Sequence, residues 1–316
     1  MKPNTKRKKN KYIWIEFFRP MSVEDIILPK AYMKTFRKFV EEKEIPNLML
    51  YSSSPGVGKT TLAKALCNDI GADYLYINVS SESGIDTLRT SISRFASTKS
   101  FNGKPKIVIM DEFDGASNNL QMGLRAAIEE FHKVCRFIFT CNYITQIKDP
   151  VLSRCQVFDM NFTDKKIKDE MVPKVTNRVC KILDFKKVDY DNSVIVKLVE
   201  DHYPDIRKTI QICQQYSAVN GVIDSNIFNY EKVDEEFYTY LLNKDFRNAR
   251  KYLIESNYNY EEMFTNLYHH FVPMLTKEVQ PEAIITIAEY MYKNSHSIDK
   301  EINFAALMLE LMGLIQ

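Results

Sequence analysis

Short apolar runs alternate with longer amphipathic segments in the first half of the chain. Five runs rich in β-branched and aromatic residues predict strands: NLMLYS from Asn47, YLYINV from Tyr74, KIVIMD from Lys106, RFIFTCN from Arg136 and QVFDM from Gln156. Segments between them, such as TLAKALCNDI and LQMGLRAAIEEF, repeat apolar residues at spacings of three and four, which is typical of amphipathic helices. Strands alternating with helices predict an α/β fold with a five-stranded parallel sheet, covered by helices on both faces.

The strand signal stops after about Thr163, and helical periodicity continues to the end of the chain. One polar, turn-rich stretch, VNGVIDSNIFNYEKVD, interrupts this helical half and indicates a domain boundary. A length of 316 residues agrees with two or three domains of the usual size. We therefore expect a domain at residues 1–162, a helical domain at 163–230 and a second helical domain at 231–316.

The composition is that of a soluble globular protein, with 45% hydrophobic and 27% charged residues. The 43 basic side chains nearly balance the 41 acidic ones, but the first twelve residues hold six bases and no acid. Without this N-terminal tail the chain is slightly acidic, and a solvated tail is a simpler interpretation than a nucleic-acid arm. Any nucleic-acid binding must therefore come from a local basic patch.

The cysteines favour a reducing, cytoplasmic location. The six of them form no C-x-x-C pair, and the chain shows no apolar segment typical of a secretory signal. The longest apolar run near the C-terminus, FAALMLELMGLI, contains Glu310 and is shorter than the ~20 residues that span a membrane. We expect this run to form a buried helix.

A candidate phosphate loop, SSSPGVGKTTL from Ser52, follows the first predicted strand and opens a helix. It matches the pattern G-x-x-x-x-G-K-[ST] except at Ser53, where the pattern has a glycine that mainly permits a sharp turn. In such loops the backbone N–H groups and the helix dipole face the phosphates, which here would leave Lys59 to reach them and Thr60 to hold Mg²⁺. The alternative is a helix N-terminus capped by serines, which the Pro, Gly and Lys-Thr residues in register disfavour.

Polar residues also follow the later strands, where parallel sheets bind their ligands. Asp111 and Glu112 end the third strand, as expected of one carboxylate for Mg²⁺ and one for an attacking water. Asn142 ends the next strand and predicts a polar contact near the terminal phosphate. Arg154, in LSRC, has no obvious acidic partner nearby in the sequence, and an exposed arginine of this kind suits delivery to a neighbouring subunit.

Taken in order, SSPGVGKTT, MDEFD, FTCN and LSRC resemble the AAA+ ATPases, and other segments resemble the sliding-clamp loaders among them. These are WIEFFRPMSVEDII, GIDTLRTSISRFAS, QMGLRAAIEEF and YPDIRKTIQ, and the resemblance spans residues 14–211. The large loader subunits of T4-like phages likewise lack the first glycine of the loop. The resemblance implies a P-loop AAA+ domain with a five-stranded parallel sheet, a helical lid domain and a helical collar domain.

The resemblance also implies roles for individual residues. Those near the adenine would be Glu16, Phe17, Phe18 and Ile27, and those at the phosphates Gly56, Val57, Gly58, Lys59, Thr60 and Thr61. Thr60 and Asp111 would hold Mg²⁺, and Glu112 would polarise the hydrolytic water. Asn142 and Arg207 would sense the nucleotide, and Arg154 would act on the ATP of a neighbouring subunit. The implied cofactors are ATP and Mg²⁺.

The segment from Gly84 to Lys106 holds five basic residues and one acid, a local charge of +4. Charge alone leaves a solvated helix face and a DNA contact about equally favoured. The resemblance favours DNA, bound without sequence preference through Gly84, Ile85 and Arg89 at the backbone phosphates. It also implies that Gln121 and Arg125 couple DNA binding to hydrolysis.

The expected function is that of an ATPase subunit that opens a DNA polymerase sliding clamp and loads it on primer-template DNA. The expected partners are the clamp, the DNA and other loader subunits in a ring or spiral, with a heteropentamer as the expected assembly. One alternative is an AAA+ helicase loader or branch-migration motor, which LSRC and the GIDTLR helix disfavour. A second is a non-catalytic scaffold, which should have lost Lys59, Glu112 or Arg154.

Overall fold

The computed structural model describes residues 12–81, 85–98, 103–228, 235–256 and 260–315, with the side chains of 85–89, 235, 255–256 and 261–262 left out of the description. The chain divides into two compact units, Met1–Ser225 and Asn226–Gln316. All six cysteines are free thiols.

A parallel sheet of five strands lies at the centre of the first unit. The strands are β1 (Leu48–Tyr51), β2 (Asp73–Asn78), β3 (Lys106–Asp111), β4 (Cys135–Cys141) and β5 (Gln156–Asp159). They are arranged in the order β2-β3-β4-β1-β5, and every neighbouring pair is parallel. The predicted five-stranded parallel sheet is therefore confirmed, with each strand at its expected place in the sequence.

Helices cover both faces of this sheet because its central strands are apolar on both sides. The helices of this part are α1 (Trp14–Phe17), α2 (Lys30–Glu42), α3 (Lys59–Ile70), α4 (Ile85–Ser97), α5 (Asn118–Phe131) and α6 (Asp149–Leu152). Leu48 and Leu50 belong to one core cluster with α2 and α3, whereas Met49 belongs to a second cluster with α4 and α5. This alternation along β1 is the period of two that a strand imposes.

Three helices follow the sheet within the same unit: α7 (Lys165–Lys186), α8 (Asn192–His202) and α9 (Ile206–Asn220). A small parallel ladder pairs β6 (Asp189–Tyr190) with β7 (Val222–Ile223). The expectation that no strand follows Thr163 is wrong at this ladder, because two-residue strands are too short to give a periodic signal.

The second unit is helical throughout its described part. Its helices are α10 (Glu235–Leu242), α11 (Phe246–Ser256), α12 (Tyr260–Asn266), α13 (Gln280–Asn294) and α14 (Lys300–Leu314), with a π-helical turn at Leu267–Phe271 and a 3-10 turn at Val272–Met274. The run FAALMLELMGLI lies in α14, where Phe304, Leu307 and Leu311 are fully buried in the core of this unit. The predicted buried helix is thus confirmed.

No helix in the described ranges has the length and apolar character that crossing a membrane requires.

Candidate active site

The candidate phosphate loop connects β1 to α3, as its sequence predicts. Gly56 and Gly58 have φ of +71° and +100°, in the left-handed region that glycine adopts without strain. A Cβ built on Gly56 would lie 1.7 Å from Oδ1 of Asp205, the residue that caps α9. Position 56 therefore requires glycine for its backbone conformation and for the close approach of Asp205.

Ser53, at the corner where the usual pattern has glycine, makes hydrogen bonds of its own. Its hydroxyl and its backbone N–H both donate to Oδ1 of Asn161 at 2.9 Å, and the Ser52 hydroxyl donates to the same oxygen at 3.2 Å. Ser53 is not among the residues of positive φ, so its backbone conformation does not require glycine. The turn at Ser53 is therefore held by hydrogen bonds to the side chain of Asn161, in the segment between β5 and α7.

We expect Ser53→Gly to lower kcat/KM for ATP by less than about tenfold, because only the hydroxyl bond is lost and the backbone bond to Asn161 remains. Steady-state hydrolysis by Ser53→Gly and Lys59→Ala, measured side by side, checks this. Equal losses in the two variants would show that the corner residue takes part in nucleotide binding.

Lys59 opens α3 and lies over the loop that precedes it. Its ammonium group donates to the carbonyl oxygens of Ser52 at 3.0 Å and Ser54 at 3.3 Å, and to Oδ1 of Asn142 at 2.9 Å. Burial lowers the pKa of Lys59, while Asp114 and other nearby acidic groups act in the opposite direction. The structure therefore brings together two predicted site residues, Lys59 and Asn142, from the loop and from the end of β4.

Asp114 fixes the backbone at the end of β4. Its Oδ2 accepts hydrogen bonds from the N–H groups of Asn142 at 3.0 Å and Tyr143 at 3.2 Å. This carboxylate was not identified in the sequence as a site residue, although it belongs to the MDEFD motif. It orients the strand end from which Asn142 reaches Lys59.

Asp111 lies buried at the end of β3 and accepts hydrogen bonds from three hydroxyl groups. Thr60 donates to Oδ1 at 2.7 Å, Thr140 donates to the same oxygen, and Tyr76 donates to Oδ2 at 2.7 Å. Thr60 and Asp111, the residues expected at Mg²⁺, are thus adjacent. A hydroxyl beside a carboxylate is the oxygen donor set that this hard cation prefers, so the residues present fit Mg²⁺.

Thr140 and Tyr76 were missed in the sequence because each belongs to another strand of the sheet. Tyr76 lies on β2 and Thr140 on β4, the two neighbours of β3. Burial and the hydrogen bond to Asp111 both raise the pKa of Tyr76, which keeps its hydroxyl protonated as a donor. Strand order, which the sequence does not state, is the information that would have identified them.

Glu112 directly follows Asp111 and has an unusual backbone conformation. Its φ is +55°, in the left-handed region, and its N–H donates to the Thr140 hydroxyl at 3.2 Å. Residues other than glycine adopt this conformation at a cost and are found at functional sites. The strand thus ends at Asp111, and the chain turns at Glu112.

A cleft of about 700 Å³, including its open mouth, lies between the phosphate loop and helices α7 and α9. Its walls are mostly apolar, as is usual for the walls of small-molecule and cofactor sites. Several residues predicted to bind the nucleotide line the cleft: Phe18, Ile27, Gly56, Val57, Gly58, Thr61 and Arg207. Aliphatic side chains of α7 and α9 also line it, namely Ile182, Ile206 and Ile210.

Glu16 and Phe17, the other two residues predicted near the adenine, are not in this lining. Glu16 forms an ion pair with Arg19, which does line the cleft. Phe17 is buried, and its ring lies 5.8 Å from that of Phe185. Their direct contact with a base stays a prediction.

Arginine side chains supply the positive charge of the cleft. Arg207 reaches it from the first turn of α9, and its charge contributes, after burial, to the lowered pKa of Lys59. Arg19 and Arg178 also line the cleft and were not identified in the sequence as site residues. Burial lowers the pKa of Arg178, whose guanidinium donates to the carbonyl oxygen of Asp25. Three cationic side chains, Arg19, Arg178 and Arg207, therefore line the cleft.

Arg154 is not among the residues that line the cleft. The expectation that it has no acidic partner is wrong, because its guanidinium pairs with Glu129 and donates to the carbonyl oxygen of Pro150 at 2.7 Å. Glu129 also pairs with Arg125 at 3.7 Å, and hydrogen bonding to Arg154 lowers its pKa. The partner is distant in sequence, so only the packing of α5 beside α6 reveals it.

Gln121 is buried on α5 with both ends of its amide bonded to backbone. Its Nε2 donates to the carbonyl oxygens of Ala116 at 3.2 Å and Gln146 at 3.0 Å, and its Oε1 accepts from the N–H of Lys148 at 2.8 Å. It therefore ties the start of α5 to the loop that leads from β4 towards Arg154.

The predicted DNA contact lies mostly outside what the structure describes. Gly84 and the side chains of Ile85 and Arg89 are outside the described residues, although the backbone of α4 begins at Ile85. Lys106 is buried and donates to the carbonyl oxygen of Phe95 at 2.7 Å, and Lys104 pairs with Asp73 at 3.6 Å. The local charge of +4 therefore overstates the exposed charge of this segment.

Two family models match the chain in succession. Residues 49–162 match the ATPase family associated with various cellular activities (AAA). Residues 164–229 match the AAA+ ATPase lid domain of the sliding-clamp-loader large subunit. The two matches cover the sheet with its phosphate loop and the helices that close the cleft.

Similar proteins cover nearly the whole chain. The sliding-clamp-loader large subunit of Enterobacteria phage T4 is 32% identical over 93% of both chains, and that of Escherichia phage RB69 is 34% identical over 81% of this chain and 82% of its own. A replication factor C small subunit from Sulfurisphaera tokodaii is 30% identical over 95% of this chain and 94% of its own. The RuvB Holliday junction branch migration motor of Thermotoga maritima shares the fold, with a TM-score of 0.55 at 14% identity over 77% of this chain and 86% of its own. The chain is an AAA+ ATPase and belongs to the sliding-clamp-loader large subunit family.

Proposed function

We propose that this ATPase opens a sliding clamp and loads it on primer-template DNA. The observation that carries the proposal is the joining of the contacts Lys59–Asn142 and Thr60–Asp111 to a lid domain of the clamp-loader type. The fold alone would also suit other AAA+ machines. The lid match and the extended similarity to loader subunits favour clamp loading.

ATP is proposed to bind with its phosphates at the loop and its base in the cleft. Gly58 leaves the loop backbone open to the phosphates, and Lys59 exchanges its contacts with carbonyl oxygens for contacts with phosphate oxygens. Arg207 contributes a second positive charge from the lid. Phe18 and Ile27 offer the base an apolar wall.

Mg²⁺ is proposed to bind beside Thr60 and Asp111, where it would neutralise phosphate charge. Glu112 is placed on the abrupt turn after Asp111 and polarises the attacking water. Asn142, bonded to Lys59, senses the terminal phosphate. One subunit thus supplies all of these side chains, and a neighbouring subunit supplies the arginine.

The proposed partners are the clamp, the DNA and other loader subunits in a ring or spiral, with a heteropentamer as the assembly. Arg154 does not line its own cleft, pairs with Glu129 and would act on a neighbour's ATP. Gly84, Ile85 and Arg89 would contact the DNA backbone, and Gln121 and Arg125 would couple that contact to hydrolysis. The helical unit from Asn226 would form the collar. The phage relatives support action in the cytoplasm of an infected bacterial host.

The two alternatives lack comparable support. A branch-migration motor shares the fold at 14% identity, which is evidence for the fold and not for the activity. A non-catalytic scaffold has no need of Lys59 and Thr60, which contact Asn142 and Asp111.

The test is the steady-state ATPase activity of the complex assembled with its partner subunits. We expect clamp and primer-template DNA together to stimulate turnover by about tenfold or more over the complex alone, because both would complete the site at the subunit boundary. Clamp alone, DNA alone and a closed duplex without a primer end serve as controls. No added stimulation by the pair would contradict clamp loading while leaving the ATPase assignment in place.

A further inference from the structure

Tyr76 stands out among the side chains around the ATPase site because no motif of the sequence includes it. It lies on β2, next to β3 in the sheet, and its hydroxyl donates to Oδ2 of Asp111 at 2.7 Å. The other two donors to Asp111, Thr60 and Thr140, both use Oδ1. The two oxygens of the carboxylate are therefore held from opposite sides by different strands and by α3.

We propose that Tyr76 is a positioning residue that orients Asp111 for Mg²⁺. Asp111 is buried, and a buried carboxylate keeps a fixed orientation only when both oxygens have hydrogen-bond partners. Bound Mg²⁺ would end the hydrogen bond from Thr60 to Asp111, since the Thr60 hydroxyl is the other expected Mg²⁺ ligand. Thr140 and Tyr76 then remain, one on each oxygen, and Tyr76 prevents rotation of the carboxylate about its bond to Cβ.

The tyrosine is itself held in place from the phosphate-loop helix. The ammonium of Lys64, on α3, lies 3.7 Å from the centre of the Tyr76 ring, within the range of a cation–π contact. Thr60, one turn earlier on α3, contacts the same carboxylate. From the edge strand β2, Tyr76 therefore contacts both Asp111 at the end of β3 and Lys64 on α3.

The experiment compares Tyr76→Phe with Tyr74→Phe. The two tyrosines lie on the same face of β2, are 37% and 39% exposed, and lose the same atom, but only Tyr76 bonds Asp111. We measure equilibrium binding of a fluorescent ATP analogue as Mg²⁺ is titrated, and binding of the same analogue in EDTA. Thermal unfolding of each variant checks that the fold is kept.

We expect Tyr76→Phe to raise the Mg²⁺ concentration for half-maximal effect about tenfold, the usual result of losing a partner of a metal ligand. Binding in EDTA should match that of Tyr74→Phe, and both variants should still unfold cooperatively on heating. An unchanged Mg²⁺ dependence, or an equal loss of binding with and without Mg²⁺, would overturn the proposal.

The inference rests on the ATPase site and not on clamp loading, so an experiment can contradict the role of Tyr76 or the proposed function without contradicting the other. If clamp and DNA did not stimulate turnover but the Mg²⁺ shift were observed, the positioning role of Tyr76 would stand. If the stimulation occurred and Tyr76→Phe behaved as Tyr74→Phe, the proposed function would stand alone.

Discussion

Replacing Lys59 with alanine is expected to lower ATP turnover by about 10²–10³-fold, with weaker nucleotide binding. The ammonium group is the cation that opens α3, and its present acceptors are two loop carbonyl oxygens and the Asn142 amide. These neutral acceptors hold the charge in place without cancelling it. A phosphate can therefore replace them with a gain in electrostatic attraction, which an alanine cannot supply.

Lys59→Arg is the matched control, because it keeps the charge and changes the shape. A guanidinium is larger and planar, so it cannot reproduce three donations from one nitrogen atom to Ser52, Ser54 and Asn142. We expect it to retain part of the binding that Lys59→Ala loses, and to hydrolyse slowly. Turnover and fluorescent-nucleotide binding are measured for both. Turnover by Lys59→Ala above about a tenth of the wild-type value would exclude Lys59 as a phosphate ligand.

Replacing Arg154 with alanine is expected to leave ATP binding by its own subunit intact while hydrolysis in the neighbouring site falls about 10³-fold or more. The reason is its position, since Arg154 contacts Glu129 and Pro150 and does not line the cleft of its own subunit. The pair with Glu129 is an ion pair on a partly exposed surface, and such pairs contribute little to stability. Arg154 can thus leave it for a phosphate at low cost.

Mixed complexes distinguish action on a neighbour from action within the subunit. Mutant and wild-type subunits are combined, with Lys59→Ala marking the sites that cannot bind ATP. Glu129→Gln is the control, because it weakens the ion pairs of Glu129 with Arg154 and Arg125 without removing either arginine, and it should leave turnover within about twofold of the wild type. If a complex lost hydrolysis only at the mutant subunit's own site, the assignment to the neighbour would be wrong.

The strands and the phosphate loop were predictable because their signals are local. Each strand is a run of apolar residues, and Lys59 and Asp111 follow strands at the edge where parallel sheets bind ligands. Local patterns do not state which strands are neighbours, and so Tyr76 and Thr140 were invisible until β2 and β4 were found on either side of β3. The same holds for Glu129, which only helix packing brings to Arg154.

Burial and backbone conformation also lay beyond the sequence pattern. Lys106 counts as a charge in a basic segment, yet it is buried at the first position of β3 and bonded to α4. Phe17 and Phe18 are adjacent and chemically alike, but only Phe18 lines the cleft, because the orientation of the short α1 separates them. A glutamate in the sequence does not indicate the left-handed φ that Glu112 adopts.

Positions 53 and 56 of the phosphate loop differ in how freely they can vary between related proteins. Position 53 has an ordinary φ and an available amide partner in Asn161, so a serine is accommodated there. Position 56 combines a left-handed φ with the Asp205 carboxylate against its Cα, so a change there would also require a change in the lid. In divergent relatives, loss of the first glycine is therefore a poor sign that ATPase activity has been lost, whereas loss of the glycine after the proline is a strong one.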